Sequence, residues 1–416
     1  MTLEAESGAW HCQVLVVGAG PAGGELARQL ARAGVGVLLV DRLSDLAEGA
    51  FSSAALPLEA VAGLDLPSSV VAARWRGWQL LGPGGQSRQW WARRPLGAVL
   101  DFGGLRRWLA AEAKAWGAQL RLGWRAVHCR QTPEGVITTL VDRHGVQRQV
   151  QSAWVVDASG EGRALIGEPR TPGDPLVSGL GVEWLLEVPS PQWQTWADRL
   201  TFMLGAGWVG QGYGWVFPME PGRLKVGVCR LQGSSSADAA RGPQRARAGL
   251  LPLGKELGRL LQRCQLQGAP VLDRHGGRIR STVQRSEPHQ QGRLVGLGDA
   301  VSTANLLGGE GIRHAMTAAR VLAPLLLEAC RTDQGRPLSR YAADLRRALG
   351  WRWSLSGRLA RRTWLGLGSD GGGDARLERL LRGLETKQAE DLSALLFDYR
   401  FERYGLKALP YLLGWR

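Results

Sequence analysis

Three glycines and one acid near the amino terminus have the types and spacing of a nucleotide-binding turn. Gly18, Gly20 and Gly23 form a G-x-G-x-x-G pattern, and Asp41 follows Gly18 by 23 positions. Glycines at this spacing permit a tight turn, bring backbone N–H groups to a pyrophosphate and let a helix pack on a strand, while the acid accepts from a ribose 2′-hydroxyl. The pattern predicts an adenine dinucleotide without a 2′-phosphate, either FAD or NAD, with Arg42 next to the acid as a further binding residue.

A second group of residues, near position 300, has the chemistry needed at the other end of such a cofactor. Gly298 and Asp299 follow an apolar run, and Gly309, Gly311 and Ile312 open a long helical stretch. An aspartate at a strand end can accept from a ribityl hydroxyl, and a helix amino terminus directs N–H donors toward a flavin ring edge. The two fragments together favour FAD over NAD.

A third apolar run ends in Asp157 and is followed by the small-residue turn Ala158-Ser159-Gly160. This pattern predicts another contact with the cofactor, although an acid in this position could equally cap a helix. The order of the three zones along the chain matches that of flavoprotein monooxygenase-type domains.

The elements that must position these residues follow from the period of the apolar side chains. Strand-like and helical periods predict a mixed α/β (α+β) fold, in which a Rossmann-type FAD domain is interleaved with an antiparallel-sheet substrate domain and followed by C-terminal helices. Helices are predicted over 102–118, 234–265 and 311–330. The predicted boundaries are 1–60, 95–165 and 285–335 for the FAD domain, 61–94 and 166–284 for the substrate domain, and 336–416 for the helical tail.

The chain is strongly basic, with 52 Lys and Arg against 37 Asp and Glu and a net charge of +15. The segment from Arg340 to Trp364 contains seven arginines and only one acid, Asp344. Trp351 and Trp353 lie between these arginines. A basic helix that carries tryptophan resembles a membrane-interface helix, and a solvated charged face is the alternative. No nucleic-acid motif accompanies the charge, so nucleic acid is not an expected partner.

The remaining composition excludes several classes of protein. The five cysteines form no C-x-x-C pair, so neither a metal site nor a disulfide framework is predicted. The amino terminus carries Glu4 and Glu6 rather than a basic segment, and no apolar run reaches about 18 residues, so we expect neither a secretory signal nor a transmembrane helix. We expect a cytoplasmic protein or one peripheral to a membrane.

Two longer motifs carry a resemblance to a known family. The first is Tyr213-Gly-Trp215-Val-Phe217-Pro218 with the later Gly227-Val-Cys229, and the second is GDAVSTANLLGGEGI. Both resemble motifs of the geranylgeranyl reductase family, within the larger group of para-hydroxybenzoate hydroxylase-like FAD proteins. The similarity extends from Val14 to about Arg320, with a weaker echo from Leu392 to Tyr404.

The resemblance implies roles for individual residues. The glycine turn and Asp41 would bind the ADP half of FAD, Asp299 would bind the flavin linker, and residues 309–312 would lie at the isoalloxazine edge. Tyr213, Trp215 and Phe217 would line a lipid cavity, or they would be only the buried face of an alternating sheet.

The chain also departs from the family pattern at several positions. Ser52 stands near the place where many members have Cys-Gly, Phe102 stands where an arginine is usual, and Cys229 replaces the last glycine of a G-x-G. The resemblance still implies the fold and FAD despite these departures, but it no longer implies the identity of the substrate or the exact pocket.

The resemblance implies an FAD-dependent reductase that saturates carbon–carbon double bonds of a polyprenyl chain or a related apolar lipid. Tyr213 and Ser52 are the candidate proton donors. The electron donor stays open, since no second nucleotide motif is visible. The net charge of +15 suits an acidic ferredoxin, and NAD(P)H could dock transiently without a motif. Two other enzyme classes on the same scaffold stay open, an oxygenating monooxygenase and a carotenoid (lycopene) cyclase. A flavin-binding membrane adaptor is the non-enzymatic alternative.

Overall fold

The computed structural model describes residues 9–50, 52–169, 173–174, 176–232, 251–282, 287–365 and 372–404. These residues form two large sheets and one small sheet, with helices packed between and beside them. The predicted mixed α/β fold, with a Rossmann-type part interleaved with a mainly antiparallel part and followed by C-terminal helices, is confirmed.

The first large sheet contains the apolar runs that end in the predicted cofactor residues. Its strands are β1 (Trp10–Val17), β2 (Val37–Asp41), β8 (Gln119–Leu122), β9 (Trp124–Thr132), β10 (Gly135–Asp142), β11 (Gln147–Asp157), β17 (Gln290–Gln291) and β18 (Leu294–Gly296). Strands β18, β11, β1, β2 and β8 lie side by side in parallel. Helices α1 (Pro21–Arg32) and α6 (Ile312–Thr332) cover one face, and the β9–β10 hairpin packs on the other. Burial on both faces explains the nearly continuous apolar runs.

The second large sheet has seven strands in the order β16-β12-β15-β14-β13-β5-β6. They are β5 (Gly77–Leu81), β6 (Ser87–Trp91), β12 (Leu176–Glu187), β13 (Arg199–Leu204), β14 (Gly212–Pro218), β15 (Arg223–Gln232) and β16 (Val271–Thr282). All neighbours are antiparallel except β13 and β5, which are parallel. A small sheet of β3 (Ala55–Pro57), β4 (Val71–Trp75) and β7 (Gly97–Leu100) joins the two parts.

The remaining helices lie at the joints of the sheets and at the carboxyl end. They are α2 (Leu58–Gly63), α3 (Phe102–Ala115), α4 (Ser190–Trp196), α5 (Leu253–Arg263), α7 (Tyr341–Leu365), α8 (Gly372–Leu384) and α9 (Ala389–Leu396). Short 3-10 turns occur at Ser68–Val70, Gly160–Gly162, Gly298–Val301, Arg336–Arg340 and Phe401–Tyr404. Helix α7 is kinked at Gly350, whose φ is +78°.

The C-terminal helices share a hydrophobic core with the second sheet. Leu377, Leu381 and Leu392 belong to the same buried cluster as Trp78 and Tyr213. The indole N–H of Trp78 also donates to the hydroxyl of Ser393 at 3.0 Å. The segment predicted as a helical tail is therefore part of the body that surrounds the second sheet.

Two of the predicted helices differ in extent from the observed ones. The helix predicted over 102–118 ends at Ala115, and Gly117 reverses the chain with a φ of +99°. Of the helix predicted over 234–265, the structure forms Leu253–Arg263, and residues 233–250 lie outside the described residues. Within the described part of the chain, no helix is both long enough and apolar enough to cross a membrane.

Candidate active site

The glycine turn is built by close backbone approach between β1, β11 and α1. A Cβ on Gly18 would lie 2.3 Å from the carbonyl oxygen of Ala158, and one on Gly23 would lie 1.9 Å from the carbonyl oxygen of Gly18. Gly20 is different, because a Cβ there would meet none of the described atoms within 4 Å. Gly20 is also the N-cap of α1, and no side chain of the described residues caps that end. The first N–H groups of α1 are thus available to an anionic ligand.

The parallel register brings the three predicted zones to one edge of the first sheet. Val17 pairs with Asp157 across β1 and β11, and Asp157 pairs with Gly296 across β11 and β18. Ligands of open α/β sheets bind beyond the carboxyl ends of such strands. A Cβ on Gly298 would lie 2.7 Å from Cβ of Ala22, so the 298–301 turn packs directly on the first turn of α1. Segments about 280 residues apart in sequence therefore form one site.

Asp41 is buried at the end of β2 and fixes the glycine turn. Its carboxylate accepts from the backbone N–H of Ala19 at 2.7 Å and of Leu43 at 2.9 Å. A carboxylate has about four lone-pair sites, so Asp41 keeps acceptor capacity for a ribose hydroxyl. The adjacent Arg42 is exposed.

Asp157 is buried, and its carboxylate is engaged within its own loop. It accepts from the backbone N–H groups of Ser159 at 3.0 Å, Leu165 at 2.7 Å and Ile166 at 2.8 Å. These bonds shape the turn that brings Ala158 against Gly18. Direct contact between Asp157 and a cofactor stays a prediction.

The sequence analysis did not single out Arg106, which lies one helical turn beyond Phe102. It lies in the second turn of α3, and 7% of its surface is exposed. Burial lowers the pKa of its guanidinium, with Asp41 acting in the opposite direction. Its Nε has no hydrogen-bond partner among the described residues. A buried N–H without an acceptor is costly unless a ligand supplies one.

These observations fit FAD at this edge of the sheet. Gly20 leaves open space in front of the uncapped helix α1, and Arg106 offers an unsatisfied donor beside Asp41. Asp299 and the start of α6 border the adjoining cavity, and their contact with the flavin linker and the ring edge stays a prediction. The hydroxyl of Thr303 donates to Asp299 at 3.0 Å, and burial raises the pKa of Asp299.

A cavity of about 250 Å³ lies between the two sheets and joins the predicted residues. From the first sheet and its loops it is lined by Ser52, Ser53, Asp299, Gly309, Gly311 and Ile312, and from the second sheet by Tyr213, Trp215, Phe217 and Cys229. The candidate flavin-edge residues and the candidate substrate residues therefore line the same cavity. The three aromatic side chains of β14 face this cavity rather than only a closed core.

Tyr213 reaches from the second sheet to the loop that is expected at the flavin edge. A Cβ on Gly309 would lie 2.9 Å from the Tyr213 hydroxyl oxygen. Burial raises the pKa of Tyr213 well above its ordinary value and raises the pKa of Cys229, its partner across β14 and β15, to about 12. Both groups keep their protons near neutral pH. Tyr213 is therefore a neutral O–H donor that lines the cavity.

Ser52, the other candidate donor, is held by local bonds at the opposite wall. Its Oγ accepts from the backbone N–H of Ala54 at 3.1 Å, and its carbonyl oxygen accepts from the buried ammonium of Lys225 at 2.8 Å. Burial lowers the pKa of Lys225. The Lys225 bond ties the second sheet to the loop that borders the cavity.

The orientation of Trp215 is fixed by a glycine and a buried acid. A Cβ on Gly227 would lie 2.2 Å from the indole ring, so the ring crosses β15 where no side chain intervenes. The indole N–H donates to Glu183 at 2.8 Å, and His275 contacts the same carboxylate at 3.2 Å. This contact explains physically why a glycine stands at position 227 of the G-x-G-like motif.

A second cavity of about 220 Å³ adjoins the first and is almost entirely apolar. Phe202, Tyr213, Glu310, Trp364 and Phe397 line both cavities. The far wall of the second cavity comes from the C-terminal helices, through Leu377, Leu381, Leu384, Leu392, Leu395 and Leu396. The sequence reading missed these leucines. Their helical spacing was visible, but helical spacing alone does not distinguish a cavity wall from a packed core.

Glu310 connects the start of α6 to the carboxyl end of the chain. Its carboxylate accepts from Arg313 and from the hydroxyl of Tyr399 at 2.8 Å, and Arg313 also contacts Asp398 at 3.3 Å. Burial alone would raise the pKa of Glu310, but the charges of His314 and Arg313 hold it below its ordinary value. An ionised, fully bonded carboxylate therefore stands at the junction of the two cavities.

Comparison with known proteins shows which proteins this chain is similar to. Residues 11–52 match the model of the family described as "FAD binding domain". The chain is 27% identical over 335 residues to digeranylgeranylglycerophospholipid reductase of Haloferax volcanii, covering 74% of each chain. It is 28% identical over 343 residues to menaquinone reductase of Mycolicibacterium smegmatis, covering 78% of each.

A solved structure shares the whole fold. The geranylgeranyl bacteriochlorophyll reductase-like protein of Thermoplasma acidophilum superimposes with a TM-score of 0.79 over 98% of this chain and 100% of that one, at 19% identity. The nucleotide-binding turn, the two-sheet architecture and the curated relatives agree. The chain is therefore an FAD-dependent oxidoreductase that resembles geranylgeranyl reductases over most of its length.

Proposed function

We propose that this FAD-dependent oxidoreductase saturates carbon–carbon double bonds in the polyprenyl chain of an apolar lipid. The observation that carries the proposal is the pair of adjoining cavities. The first is bordered by the residues expected at the flavin edge, and the second is an apolar space of the kind that a hydrocarbon chain fills. The names of the curated relatives, reductases of a digeranylgeranyl lipid and of menaquinone, support the same class of substrate.

Reduced FAD, when held at this site, would supply the hydride for one carbon of the double bond. The other carbon needs a proton, and Tyr213 is the residue proposed to supply it. Its hydroxyl is neutral, lines the first cavity and lies beside Gly309. Ser52 is the alternative donor on the opposite wall. A proton donor of the Tyr213 type contributes by being held within reach of the reacting carbon.

The remaining residues of the cavities position the chain and exclude water. Phe202, Trp364 and Phe397 line both cavities and offer aromatic surfaces to an extended chain. The leucines of α8 and α9 make the far end apolar. A dry cavity holds the double bond in one orientation and prevents loss of the hydride to solvent.

The experiment is an anaerobic single turnover. The purified flavoprotein is reduced chemically and mixed with geranylgeranyl lipids, menaquinone or carotenoids. The masses of the products are then measured by mass spectrometry. Reduction adds about 2 Da for each double bond, oxygenation in air adds about 16 Da, and cyclisation adds nothing. Saturated product supports the proposal. Flavin that is reoxidised only by oxygen, with every lipid unchanged, would refute the proposal, and a lipid that gains about 16 Da in air would favour a monooxygenase instead.

The electron donor is proposed to be NAD(P)H or an acidic ferredoxin. The net charge of +15 favours encounter with an acidic protein. Anaerobic bleaching of the flavin by NADH, NADPH or a reduced ferredoxin, compared at low and high salt, distinguishes them. Only the ferredoxin reaction should slow strongly as salt rises.

A further inference from the structure

One face of α7 carries exposed arginines and an exposed tryptophan. We name it the basic face, and it consists of Arg346, Arg347, Trp351, Arg358 and Arg361. Trp351 is 66% exposed, more than Trp116 at 51% or Trp91 at 46%. Positions 351, 358 and 361, beyond the kink at Gly350, fall on one side of a helix of 3.6 residues per turn, and Arg346 and Arg347 lie before the kink. The chain thus presents cations around an indole that contributes little to the core.

The charge of the basic face is only partly neutralised. Arg347 pairs with Asp344 at 2.7 Å, and that pair is largely exposed. Arg358 and Arg361 have no ion pair within the ranges that the structure describes. A solvated helix face normally mixes both signs of charge. Unpaired arginines around an exposed tryptophan instead match the headgroup region of an anionic bilayer, where indoles are stable and cations are attracted.

The opposite side of the same helix lines the second cavity. Leu359, Thr363 and Trp364 face that cavity, and the indole N–H of Trp364 donates to the carbonyl oxygen of Leu307 at 3.0 Å. Leu359 follows Arg358 directly, so adjacent residues point to the cavity and to the surface. A helix with its side chains is about 10–12 Å wide. The apolar cavity is therefore separated from the basic face by the width of one helix.

We propose that the basic face of α7 docks this protein on an anionic membrane surface, so that a lipid tail passes from the bilayer into the second cavity beneath the helix. The proposal rests on the proposed function for the identity of that tail. The docking itself rests on the arginines, Trp351 and the position of the cavity. It commits to a lipid surface, since an acidic protein would need the arginines but not an exposed indole or an apolar cavity beside it.

The test is sedimentation of the whole flavoprotein with vesicles of phosphatidylglycerol and phosphatidylcholine in equal parts, against vesicles of phosphatidylcholine alone. We expect binding to the anionic vesicles that weakens with salt. The double variant R358E/R361E should weaken that binding at least about tenfold. The control R125E/R130E, on the exposed side of β9, changes the net charge equally and should alter binding by less than about twofold.

A second pair of variants tests the indole. Trp351→Ala should weaken binding several-fold, by about three- to tenfold, while Trp116→Ala, on another exposed indole, should leave it unchanged. Flavin absorbance and circular dichroism establish that each variant is folded. Equal binding of R358E/R361E and the unaltered protein, or equal loss in R125E/R130E, would overturn the docking proposal.

Activity in two formats distinguishes docking from the proposed function. R358E/R361E should reduce a detergent-dispersed polyprenyl lipid at the normal rate and lose reduction of the same lipid in anionic vesicles. If no lipid is reduced in detergent but vesicle binding behaves as expected, the function fails and the docking stands. If R358E/R361E binds vesicles normally but no longer accepts electrons from an acidic protein, the basic face is a protein interface and the docking proposal is wrong.

Discussion

The nucleotide end and the lipid end of this site are built by opposite means. At the nucleotide end, backbone groups approach one another so closely that a Cβ on Gly18 or Gly23 would overlap a carbonyl oxygen. At the lipid end, the space is defined by the volume of aromatic and leucine side chains from the second sheet and from α7, α8 and α9. Backbone contacts tolerate almost no change, whereas side-chain walls can be altered one group at a time. Substitutions should therefore abolish cofactor binding at one end and shift substrate choice at the other.

Tyr213 lies where the two ends meet, and removal of its hydroxyl should give the largest change in the rate of lipid reduction. Tyr213→Phe keeps the ring and removes the O–H, so kcat for lipid reduction should fall by about 10²- to 10⁴-fold. Flavin content and the rate of flavin reduction by dithionite should be unchanged. The measurement is single-turnover reoxidation of the flavin by lipid. A large loss in Ser52→Ala with none in Tyr213→Phe would assign the donor to Ser52 instead.

Glu310 links the two ends, and its loss should destabilise their junction. Glu310→Gln leaves the half-buried Arg313 without its main carboxylate partner, so the free energy of unfolding should fall by about 3 kcal/mol at neutral pH. The control Asp398→Asn removes a half-exposed partner of the same arginine and should cost less than about 1 kcal/mol.

The difference in free energy of unfolding between Glu310→Gln and the unaltered protein should depend on pH in one direction. The folded protein holds the pKa of Glu310 below its ordinary value of 4.5, so its carboxylate stabilises the fold at pH above 4.5. That stabilisation is lost as pH falls from 4.5 through the lower folded pKa. Denaturant unfolding of Glu310→Gln and of the unaltered protein should therefore converge in acid, and a constant difference at all pH would contradict the assignment.

A substitution at Gly20 should change FAD binding at the nucleotide end without changing the packing of the protein. A Cβ at this position meets no described protein atom within 4 Å, so only a bound pyrophosphate would clash with it. Gly20→Ala should weaken FAD binding by about ten- to a hundredfold with little change in stability. The control Gly258→Ala, in α5 and equally open, should bind FAD normally. Titration of the apoprotein with FAD measures both, and equal affinities would place the pyrophosphate elsewhere.

Leu381 tests the lipid end and should give the smallest effect. Leu381→Phe narrows the far wall of the second cavity, so the ratio of kcat/KM for a long polyprenyl chain to that for a short one should fall about three- to tenfold. Leu261→Phe, at a buried position of α5 outside both cavities, carries a similar packing cost but should leave the ratio unchanged. Parallel assays with two chain lengths decide the matter, and equal ratios in all three proteins would remove the second cavity from substrate selection.

Much of the nucleotide end could be predicted because its requirements are local. The turn from Gly18 to Gly23 and the aspartates at strand ends belong to single strand–turn–helix units, whose geometry is set by neighbours in sequence. Arg106 escaped prediction because its role depends on α3 packing against α1, which places its guanidinium near Asp41.

The lipid end was predicted only in part. The alternation in Tyr213, Trp215 and Phe217 indicated one face of a strand, but it did not say whether that face met a core or a cavity. The answer depends on Gly227, on the Glu183 contact and on helices more than a hundred residues further along the chain.

The sequence by itself determined the strand ends, the glycine turn and the class of cofactor, because those features rest on backbone conformation and on hydrogen bonds between near neighbours. Only the tertiary structure decided that the C-terminal helices close an apolar cavity against the second sheet and that the arginines of α7 lie on its outer side. Cavities and exposed faces are spaces between elements, and their shape is fixed by how distant side chains pack together.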